Sequence, residues 1–282
     1  MSPDEKYYKP DKKNKYPLVE LDPRKIPLTV ADEDAIEQGY YFDERAAKRV
    51  INFFERYLKH TISPYTGKPF ILLDWQKYSL IAPLFGWKRR DGTRRFRIAY
   101  VEIPKKNGKS MLCSGISLYL LCADGEQGGQ IYAVAAERSQ AGIVFDESAK
   151  MIYKSPALKK RLNPTKSTKT IYHGKSNSIY KALSAEAPTK EGLNIHGLIF
   201  DELHAQAKRD LWDTLRYGGA AREQPLIISI TTAGFDRTTI CWEQHEYARR
   251  ILKGQVFDPS FFALIYSTNW EDAEARNTDE EE

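Results

Sequence analysis

Gly108, Lys109 and Ser110 form the triplet with the clearest chemical meaning in the sequence, because Gly-Lys-Ser is the core of a phosphate-binding loop. The apolar run "RIAYVEI" precedes the triplet and a helix-like apolar segment follows it. In a strand–loop–helix unit, backbone N–H groups and the helix N-terminus bind phosphates, the lysine reaches the β- and γ-phosphates, and the serine is a Mg²⁺ ligand. The usual pattern has a glycine five positions before Gly108, where this sequence has Ile103. The triplet therefore predicts a nucleotide site with an unusual loop, the alternative being a lysine-rich turn.

A second candidate is the acid pair Asp201-Glu202, which ends the apolar run "GLIF" in "GLNIHGLIFDELHAQ". A buried strand that ends in two acids places carboxylates at the carboxyl edge of a sheet, where α/β proteins bind ligands. An aspartate there can hold Mg²⁺, and the adjacent glutamate can orient or deprotonate an attacking water. The alternative is a strand that ends in solvated acids.

Two further motifs carry polar side chains toward the same edge. "LIISITTAG" ends in Thr231 and Thr232, whose hydroxyls can sense a γ-phosphate, although β-branched residues also simply favour strands. In "LLDWQKYS", the Gln76 amide can make two hydrogen bonds to an adenine edge, and Trp75 and Tyr78 can stack on a base or pack in the core. Taken alone, Gln76 is better explained as an exposed glutamine on a helix.

Apolar runs of strand length alternate with helical segments around these motifs, which predicts a mainly parallel sheet covered by helices. The predicted strands are 96–103, 131–136, 197–202, 225–232 and 261–268, and the predicted helices are 110–122, 138–155, a piece near 208–217, and 239–254. Upstream, two helices are predicted with Asp43 and Asp74 as N-caps. "KTIYHGKSNSIYKALSAE" predicts a β-hairpin that turns at 174–177.

The chain has 282 residues, and its content of apolar residues predicts a core of normal size. It contains no apolar run long enough to span a membrane. The net charge is +5, and the three cysteines form no C-x-x-C pair, which predicts neither a zinc site nor a disulfide framework. Two basic clusters occur: Lys88–Arg97 has six bases and one acid, and Lys154–Lys175 has seven bases and no acid. A solvated surface explains either cluster taken alone, whereas the presence of two in one domain points toward a polyanionic partner such as nucleic acid.

In their order, these motifs resemble those of the ATPase domain of tailed-bacteriophage large terminases, the motors that pump DNA into procapsids. The resemblance covers roughly residues 40 to 270. It depends on "DWQ" as the adenine motif, "PKKNGKS" as the phosphate loop, "AAERSQA" after the next strand, "LIFDELHA" as the acidic motif and "ITTAG" as the coupling motif. That family commonly lacks the first glycine of the loop and has a basic residue four positions before the loop lysine. Here that residue is Lys105, where many relatives have arginine.

The resemblance implies a P-loop NTPase fold of the ASCE/RecA-like kind, with ATP and Mg²⁺ as cofactors. It implies that ATP is bound by Gln76, Lys106, Asn107, Gly108, Lys109 and Ser110, that Ser110 and Asp201 hold the metal, and that Thr231 and Thr232 couple hydrolysis to movement. The implied catalytic residues are Glu202, Lys109 and Lys105. A ring motor also needs a basic residue from the neighbouring subunit, and Arg222, Arg138 and Lys190 are the candidates.

Residues 1–40, rich in Pro, Lys, Asp and Tyr, predict an extended N-terminal arm, and residues 271–282 predict an acidic tail that is disordered or a truncation edge; the resemblance assigns the ATPase domain to 41–270. Too few residues follow Gly234 for the nuclease domain of a full-length large terminase, so nuclease activity is not expected from this chain. The implied partners are double-stranded DNA, the portal protein of the procapsid, the small terminase subunit and further copies of the chain in a ring, with no membrane. The implied location is the host cell cytoplasm, with transient docking on the procapsid.

Three other readings compete with this one. "DELH" also fits the D-E-x-H motif of helicase-type ATPases, which need a second RecA-like domain. A nucleotide- or DNA-binding module that does not hydrolyse ATP would explain the basic clusters but not the acid pair. A small-molecule P-loop kinase would normally have a lid of arginines and no "ITTAG" motif.

Overall fold

In the computed structural model, residues 8–9, 19–135, 138–184, 192–205, 209–233 and 236–266 are described. The strands are β1 (Tyr8–Lys9), β2 (Tyr41–Asp43), β3 (Trp87–Lys88), β4 (Ile98–Glu102), β5 (Gln130–Ala135), β6 (Leu162–Thr165), β7 (Thr170–His173), β8 (Ser178–Ser184), β9 (Ile195–Asp201), β10 (Leu226–Thr231) and β11 (Phe261–Ile265). The α-helices are α1 (Val30–Glu37), α2 (Glu44–Asn52), α3 (Ala82–Gly86), α4 (Lys109–Cys122), α5 (Arg138–Lys154), α6 (Pro156–Lys159), α7 (Arg209–Tyr217) and α8 (Ile240–Leu252). Two π-helical segments, Phe53–Tyr57 and Trp75–Ile81, extend α2 and precede α3, and Leu203–Ala205 is a 3₁₀ turn.

An eight-stranded sheet forms the centre of the fold, in the order β11-β4-β10-β9-β5-β8-β7-β6. The strands from β11 to β8 are parallel, whereas β7 and β6 pair antiparallel. The five predicted strands and the predicted hairpin are confirmed. The sequence prediction missed β6, where Pro164 and the surrounding lysines weaken the strand pattern. The predicted α/β class with a mainly parallel sheet is therefore confirmed.

Helices cover both faces of this sheet, which explains why every residue of β9 and β10 is buried. Successive strand residues point to opposite faces. Ile199 packs in one core with α4 and α5, while Leu198 and Phe200 pack in the other with α7 and α8. The two cores hold these strands in place, and the sequence motifs at their carboxyl ends therefore lie at one edge of the sheet.

The prediction of an extended arm is wrong for residues 19–40, which fold against the core. Val19, Leu21 and Ile26 are buried, and α1 follows them. Asp32 in the first turn of α1 hydrogen-bonds back to Thr29 and forms an ion pair with Arg95, at 2.6 Å between Oδ1 and Nη1. The helix is short and half of its residues are acidic, so its stability comes from this tertiary pairing rather than from a periodic apolar face. Residues 10–18 and 267–282, which include the predicted acidic tail, lie outside the described residues.

The two predicted helix caps have different outcomes. Asp43 accepts a hydrogen bond from the Ala46 N–H and so caps α2 as predicted. Asp74 is itself in helical conformation and its side chain makes no capping bond, so that prediction is wrong. Instead, the Gln76 Oε1 accepts a hydrogen bond from the Leu73 N–H, at 3.1 Å.

The basic cluster Lys88–Arg97 is largely internal. Arg94 and Arg95 are each 1% exposed. Arg94 pairs with Asp124, at 3.1 Å, and Arg95 pairs with Asp32. Their charges are thus neutralised within the chain, and the expectation that this cluster meets a polyanion is wrong for both arginines.

Lys88 in the same cluster is buried and forms no ion pair with a described residue, and burial, with the nearby Arg94 charge, lowers the pKa of Lys88 to about 8. Because the unfolded pKa is near 10.5, the charged lysine destabilises the fold below pH 8, and the cost disappears as the pH rises to 10.5. The difference between the pKa of Lys88 in the unfolded and in the folded chain corresponds to roughly 3 kcal/mol in the free energy of unfolding. We therefore expect Lys88→Met to raise the free energy of unfolding at pH 7, and the advantage over wild type to shrink between pH 8 and 10.5. Urea titrations across this pH range measure the free energy of unfolding, with Lys253→Met as an exposed control. A stability advantage of Lys88→Met that does not change with pH would contradict the prediction.

Candidate active site

The loop between β4 and α4 curves at two residues with left-handed backbone, Lys106 (φ 67°) and Gly108 (φ 75°). Ile103, where the usual pattern has glycine, is buried and extends the strand pairing, because its N–H donates to the Thr231 carbonyl at 3.0 Å. A glycine is therefore not needed at that position, since the chain begins to turn only after it. The Asn107 amide donates to the carbonyls of Pro104 and Lys105 and braces the loop from within.

Lys109 and Glu202 face each other across the end of β10. Because β4, β10 and β9 are parallel neighbours, their carboxyl ends lie at one edge of the sheet. The Lys109 Nζ lies 3.6 Å from the Glu202 Oε1 and 3.5 Å from the Pro104 carbonyl. Lys109 is 8% exposed, whereas the Glu202 side chain is 33% exposed. The structure thus brings the loop lysine and the second acid together, with the acid open to solvent.

Glu202 has a left-handed backbone, with φ 55°, which is unusual for a residue with a side chain. Its N–H still donates to the Ile230 carbonyl at 2.9 Å, so the chain leaves the sheet directly after this bond. Such a conformation costs of order 1–3 kcal/mol and persists only where the surrounding structure enforces it. The strain turns the carboxylate toward Lys109 rather than along the strand.

Asp201 has the electrostatic character of a cation ligand. Burial and the charge of Glu202 together raise the pKa of Asp201 to about 6, against the opposing effect of the Lys109 charge. Among the described residues, no donor reaches its buried Oδ1. A buried carboxylate oxygen that no described donor reaches fits the one or two protein oxygens that Mg²⁺ takes in nucleotide sites, and Ser110 stands in the first turn of α4.

His204 links the acid to the threonines of "ITTAG", and sequence reasoning missed it although it stands in the "DELH" motif. Its Nδ1 lies 3.1 Å from Glu202 Oε2, 3.0 Å from Thr231 Oγ1 and 3.4 Å from Thr232 Oγ1. Thr231 uses its only hydroxyl proton toward the Thr232 carbonyl. We therefore assign His204 Nδ1 as the donor to Thr231. Both threonines are buried at the end of β10, so His204 connects Glu202 to that end of the strand.

A second buried network, also missed, lies under the loop. Glu102, the last residue of β4, accepts hydrogen bonds from the Tyr100 hydroxyl (2.7 Å) and from His245 Nδ1 (2.8 Å). Burial would raise the pKa of Glu102, but the hydrogen bonds from His245 and Tyr100 hold it below its usual value. His245 lies on α8, so this network connects α8 to β4, the strand that precedes the phosphate loop. Its partners are far apart in sequence and leave no local signal.

Gln76 lies beside the phosphate loop rather than on an exposed helical face. It is 4% exposed, and a side chain added at Gly108 would begin 3.8 Å from its Nε2. Trp75 packs edge-on against Tyr266, with ring centroids 5.7 Å apart, and Tyr78 lies under the Lys25 ammonium. The structure therefore brings Gln76 to the site and gives both aromatic rings partners within the chain.

The predicted basic residues are placed unequally. Lys105 and Lys106 are exposed on the loop. Arg222 pairs with Glu126 at 2.6 Å and donates to the Gly128 carbonyl, at the amino ends of the strands and thus opposite the phosphate loop. This internal pairing disfavours it as a residue donated to a neighbour. Arg138 begins α5 at the phosphate-loop edge, but its side chain is not described, and Lys190 lies outside the described residues.

Comparisons with known proteins agree with this arrangement. The sequence model of the family "Terminase large subunit, ATPase domain" matches residues 74–250. The large terminase subunit of Enterobacteria phage HK97 is 34% identical over 188 residues, which are 66% of this chain and 36% of that protein. The crystal structure of the HK97 large terminase superimposes with a TM-score of 0.68 and 30% identity, covering 80% of this chain and 44% of the other. Protein YmfN of Escherichia coli K12 is 33% identical over 79 residues, 28% of this chain and 17% of its own length.

This chain therefore spans only part of the relatives it matches. In the part of the chain that the structure describes, no helix is long and apolar enough to cross a membrane.

Proposed function

The chain belongs to the family of terminase large subunit ATPase domains, and from that membership we propose that it is the ATP-hydrolysing motor domain of a viral DNA-packaging terminase. In this role it couples ATP hydrolysis to translocation of double-stranded DNA into a procapsid. The observation that carries the proposal is the opposition of Lys109 and Glu202, 3.6 Å apart at the carboxyl edge of parallel strands. That edge is where open α/β sheets bind ligands.

In the proposed mechanism, the γ-phosphate lies between these two side chains. Lys109 neutralises the β- and γ-phosphates, and the N–H groups at the start of α4 bind their oxygens. Glu202 orients a water for in-line attack on the γ-phosphorus and accepts its proton, which leaves ADP and inorganic phosphate. The Glu202 side chain is 33% exposed, and this position at the border of the solvent supports the role. Lys105, exposed on the loop, contributes a further positive charge near the γ-phosphate.

Ser110 and Asp201 would hold Mg²⁺, which when bound supplies charge neutralisation at the β- and γ-phosphates. Gln76, buried beside Gly108, would read the adenine edge. Lys106, Asn107 and Gly108 would shape the loop around the phosphates, which the brace from Asn107 to the Pro104 carbonyl supports.

The proposed coupling runs from Glu202 through His204 to Thr231 and Thr232. When the γ-phosphate leaves, Glu202 regains Lys109 as its partner, and its hold on His204 changes. The hydroxyl of Thr231 accepts from both the N–H and the Nδ1 of His204, so the end of β10 responds. The buried Glu102–His245 contact then carries the change to α8.

The proposed partners are double-stranded DNA, the portal protein, the small terminase subunit and further copies of this chain in a ring. The proposed location is the host cytoplasm, with transient docking on the procapsid. Arg138, at the phosphate-loop edge, and Lys190 are the proposed basic residues donated to a neighbouring subunit. The family match disfavours a helicase-type ATPase, and the Lys109–Glu202 pair disfavours a module that does not hydrolyse ATP.

The direct test is an ATPase assay on the 282-residue chain with and without duplex DNA. We expect phosphate release that requires Mg²⁺, stops on addition of EDTA, rises with DNA, and is faster with ATP than with GTP. The preference for ATP tests the role of Gln76. An absence of turnover under all these conditions would overturn the motor function.

A further inference from the structure

The second basic cluster of the sequence differs in structure from the first. Between residues 154 and 181 the chain has eight bases and no acid. Six of these bases are exposed at the end of α5, on and after α6, and in the turns of the β6–β7–β8 unit. We call these six residues the basic edge. They are Lys154, Lys159, Lys160, Arg161, Lys166 and Lys175.

The charges of the basic edge are not neutralised by the described part of the chain. None of its six bases forms an ion pair with a described residue, in contrast to Arg94 and Arg95. His173, buried among them, reports the resulting field: burial lowers the pKa of its imidazole, and the charges of Arg161 and Lys175 lower it further. The basic edge is therefore a surface of one sign with an uncompensated positive potential.

Protection of the sheet margin explains only part of this surface. β6 is the last strand of the sheet, and lysines beside an edge strand discourage pairing with other chains. Lys166 in the β6–β7 turn fits that role. Lys154 and Lys159 lie on helices and do not flank the free hydrogen-bonding groups of β6. Their clustering needs another reason.

The composition of the basic edge favours a phosphate backbone over an acidic protein as its partner. Protein interfaces are poor in lysine and need an apolar centre. Here the large exposed side chains are two tyrosines that already have partners, since Lys166 lies over the Tyr153 ring and the Tyr172 hydroxyl bonds to Asn177. The turns at the two ends of β7 are about 13 Å apart, which is roughly four base-pair steps of a duplex.

We propose that the basic edge binds the phosphate backbone of duplex DNA without reading its sequence. This inference depends on the proposed function in that the duplex is the substrate of the motor. The surface is one helix layer away from the phosphate loop, because α5, which ends at Lys154, packs on α4, which begins at Lys109. The Ser114 hydroxyl on α4 donates to the Val144 carbonyl on α5 at 3.0 Å. A displacement of α4 on nucleotide turnover therefore reaches the DNA contacts through one packed helix.

The test compares two variants of the full chain that lose the same charge. The first combines Lys159→Gln, Lys160→Gln and Arg161→Gln; the control combines Arg56→Gln, Arg250→Gln and Lys253→Gln, of which Arg56 is exposed in the segment that extends α2 and the other two at the end of α8. Binding of a fluorescent 30-base-pair duplex is measured by anisotropy from about 50 to 200 mM NaCl. We expect the first variant to bind at least about tenfold more weakly at low salt, and the slope of log Kd against log salt to fall by up to about 2.7, or about 0.9 for each lost phosphate contact. The control should keep the wild-type slope.

Each other outcome overturns the inference. It fails if the first variant keeps the affinity and slope of wild type, if the control loses as much, or if wild type does not bind the duplex. If the first variant loses binding to poly-glutamate but keeps binding to the duplex, the surface is assigned to an acidic protein instead. ATP turnover without DNA, measured on the same preparations, reports separately on the proposed function and on folding. DNA binding that depends on the basic edge in a chain without turnover would leave this inference standing while the motor function failed.

Discussion

Replacement of Glu202 by glutamine is expected to lower kcat for ATP hydrolysis by about 10³-fold while ATP affinity stays within a few-fold of wild type. Glutamine has the size of glutamate, so the left-handed turn after β9 and the contact with His204 can persist. The amide cannot accept a proton from the attacking water. Loss of the negative charge beside Lys109 also leaves that ammonium free for the γ-phosphate, so binding does not weaken. Phosphate release measures the first quantity, and equilibrium titration with a fluorescent ATP analogue measures the second.

Glu223→Gln is the matched control for this change, because Glu223 is exposed at the opposite edge of the sheet, before β10. It should keep turnover near wild type. Turnover of Glu202→Gln within about threefold of wild type would show that this carboxylate does not activate the water, and the assignment of the catalytic acid would be wrong.

The contact between Lys109 and Glu202 was predictable from the sequence. Both residues follow apolar runs of strand length, and helical segments between the strands require parallel pairing. Parallel strands end at one edge, so a lysine after one strand and a glutamate after another must approach when the strands are near neighbours. The sequence does not give the strand order, and it is the position of β10 between β4 and β9 that brings Thr231 between them.

The missed features depend on partners distant in the chain. Arg94 and Arg95 read as surface charges until Asp124 and Asp32 are placed beside them. Arg222 likewise pairs with Glu126, 96 positions earlier. Local sequence patterns indicate the periodicity of helices and strands and the positions of helix caps. Which acid pairs with a buried arginine depends on tertiary packing.

His204 and Gln76 show a different limit, because their neighbours are close in sequence. The "DELH" motif was visible, but the side-chain direction of its histidine depends on the left-handed backbone at Glu202. The bond from the Leu73 N–H to Gln76 replaced the predicted cap at Asp74. The direction of these side chains depends on single backbone dihedral angles, which the composition and spacing of the sequence do not determine.

Replacement of Lys109 by alanine is expected to abolish measurable hydrolysis, with a fall in kcat/KM of at least about 10²–10³-fold. Unlike Glu202→Gln, it should also weaken ATP binding, since the ammonium neutralises phosphate charge in the ground state as well. A further consequence follows at Asp201. Lys109 lowers the pKa of that carboxyl, so its loss leaves the pKa of Asp201 higher still and the aspartate less able to hold a cation. Phosphate release and ATP titration measure the two losses.

The fold is expected to survive this change, because the polar contacts of Lys109 are long, at 3.5 and 3.6 Å, and Glu202 remains partly in water. Thermal unfolding of Lys109→Ala should therefore stay close to that of wild type, with Lys253→Ala as the exposed-lysine control. Lys109→Arg separates charge from geometry: it keeps a positive charge near Asp201, but the larger guanidinium does not fit against the Pro104 carbonyl. We expect Lys109→Arg to recover part of the ATP affinity and little of the turnover. Turnover at the wild-type rate in Lys109→Ala would show that this lysine does not act on the phosphates, and the site assignment would be wrong.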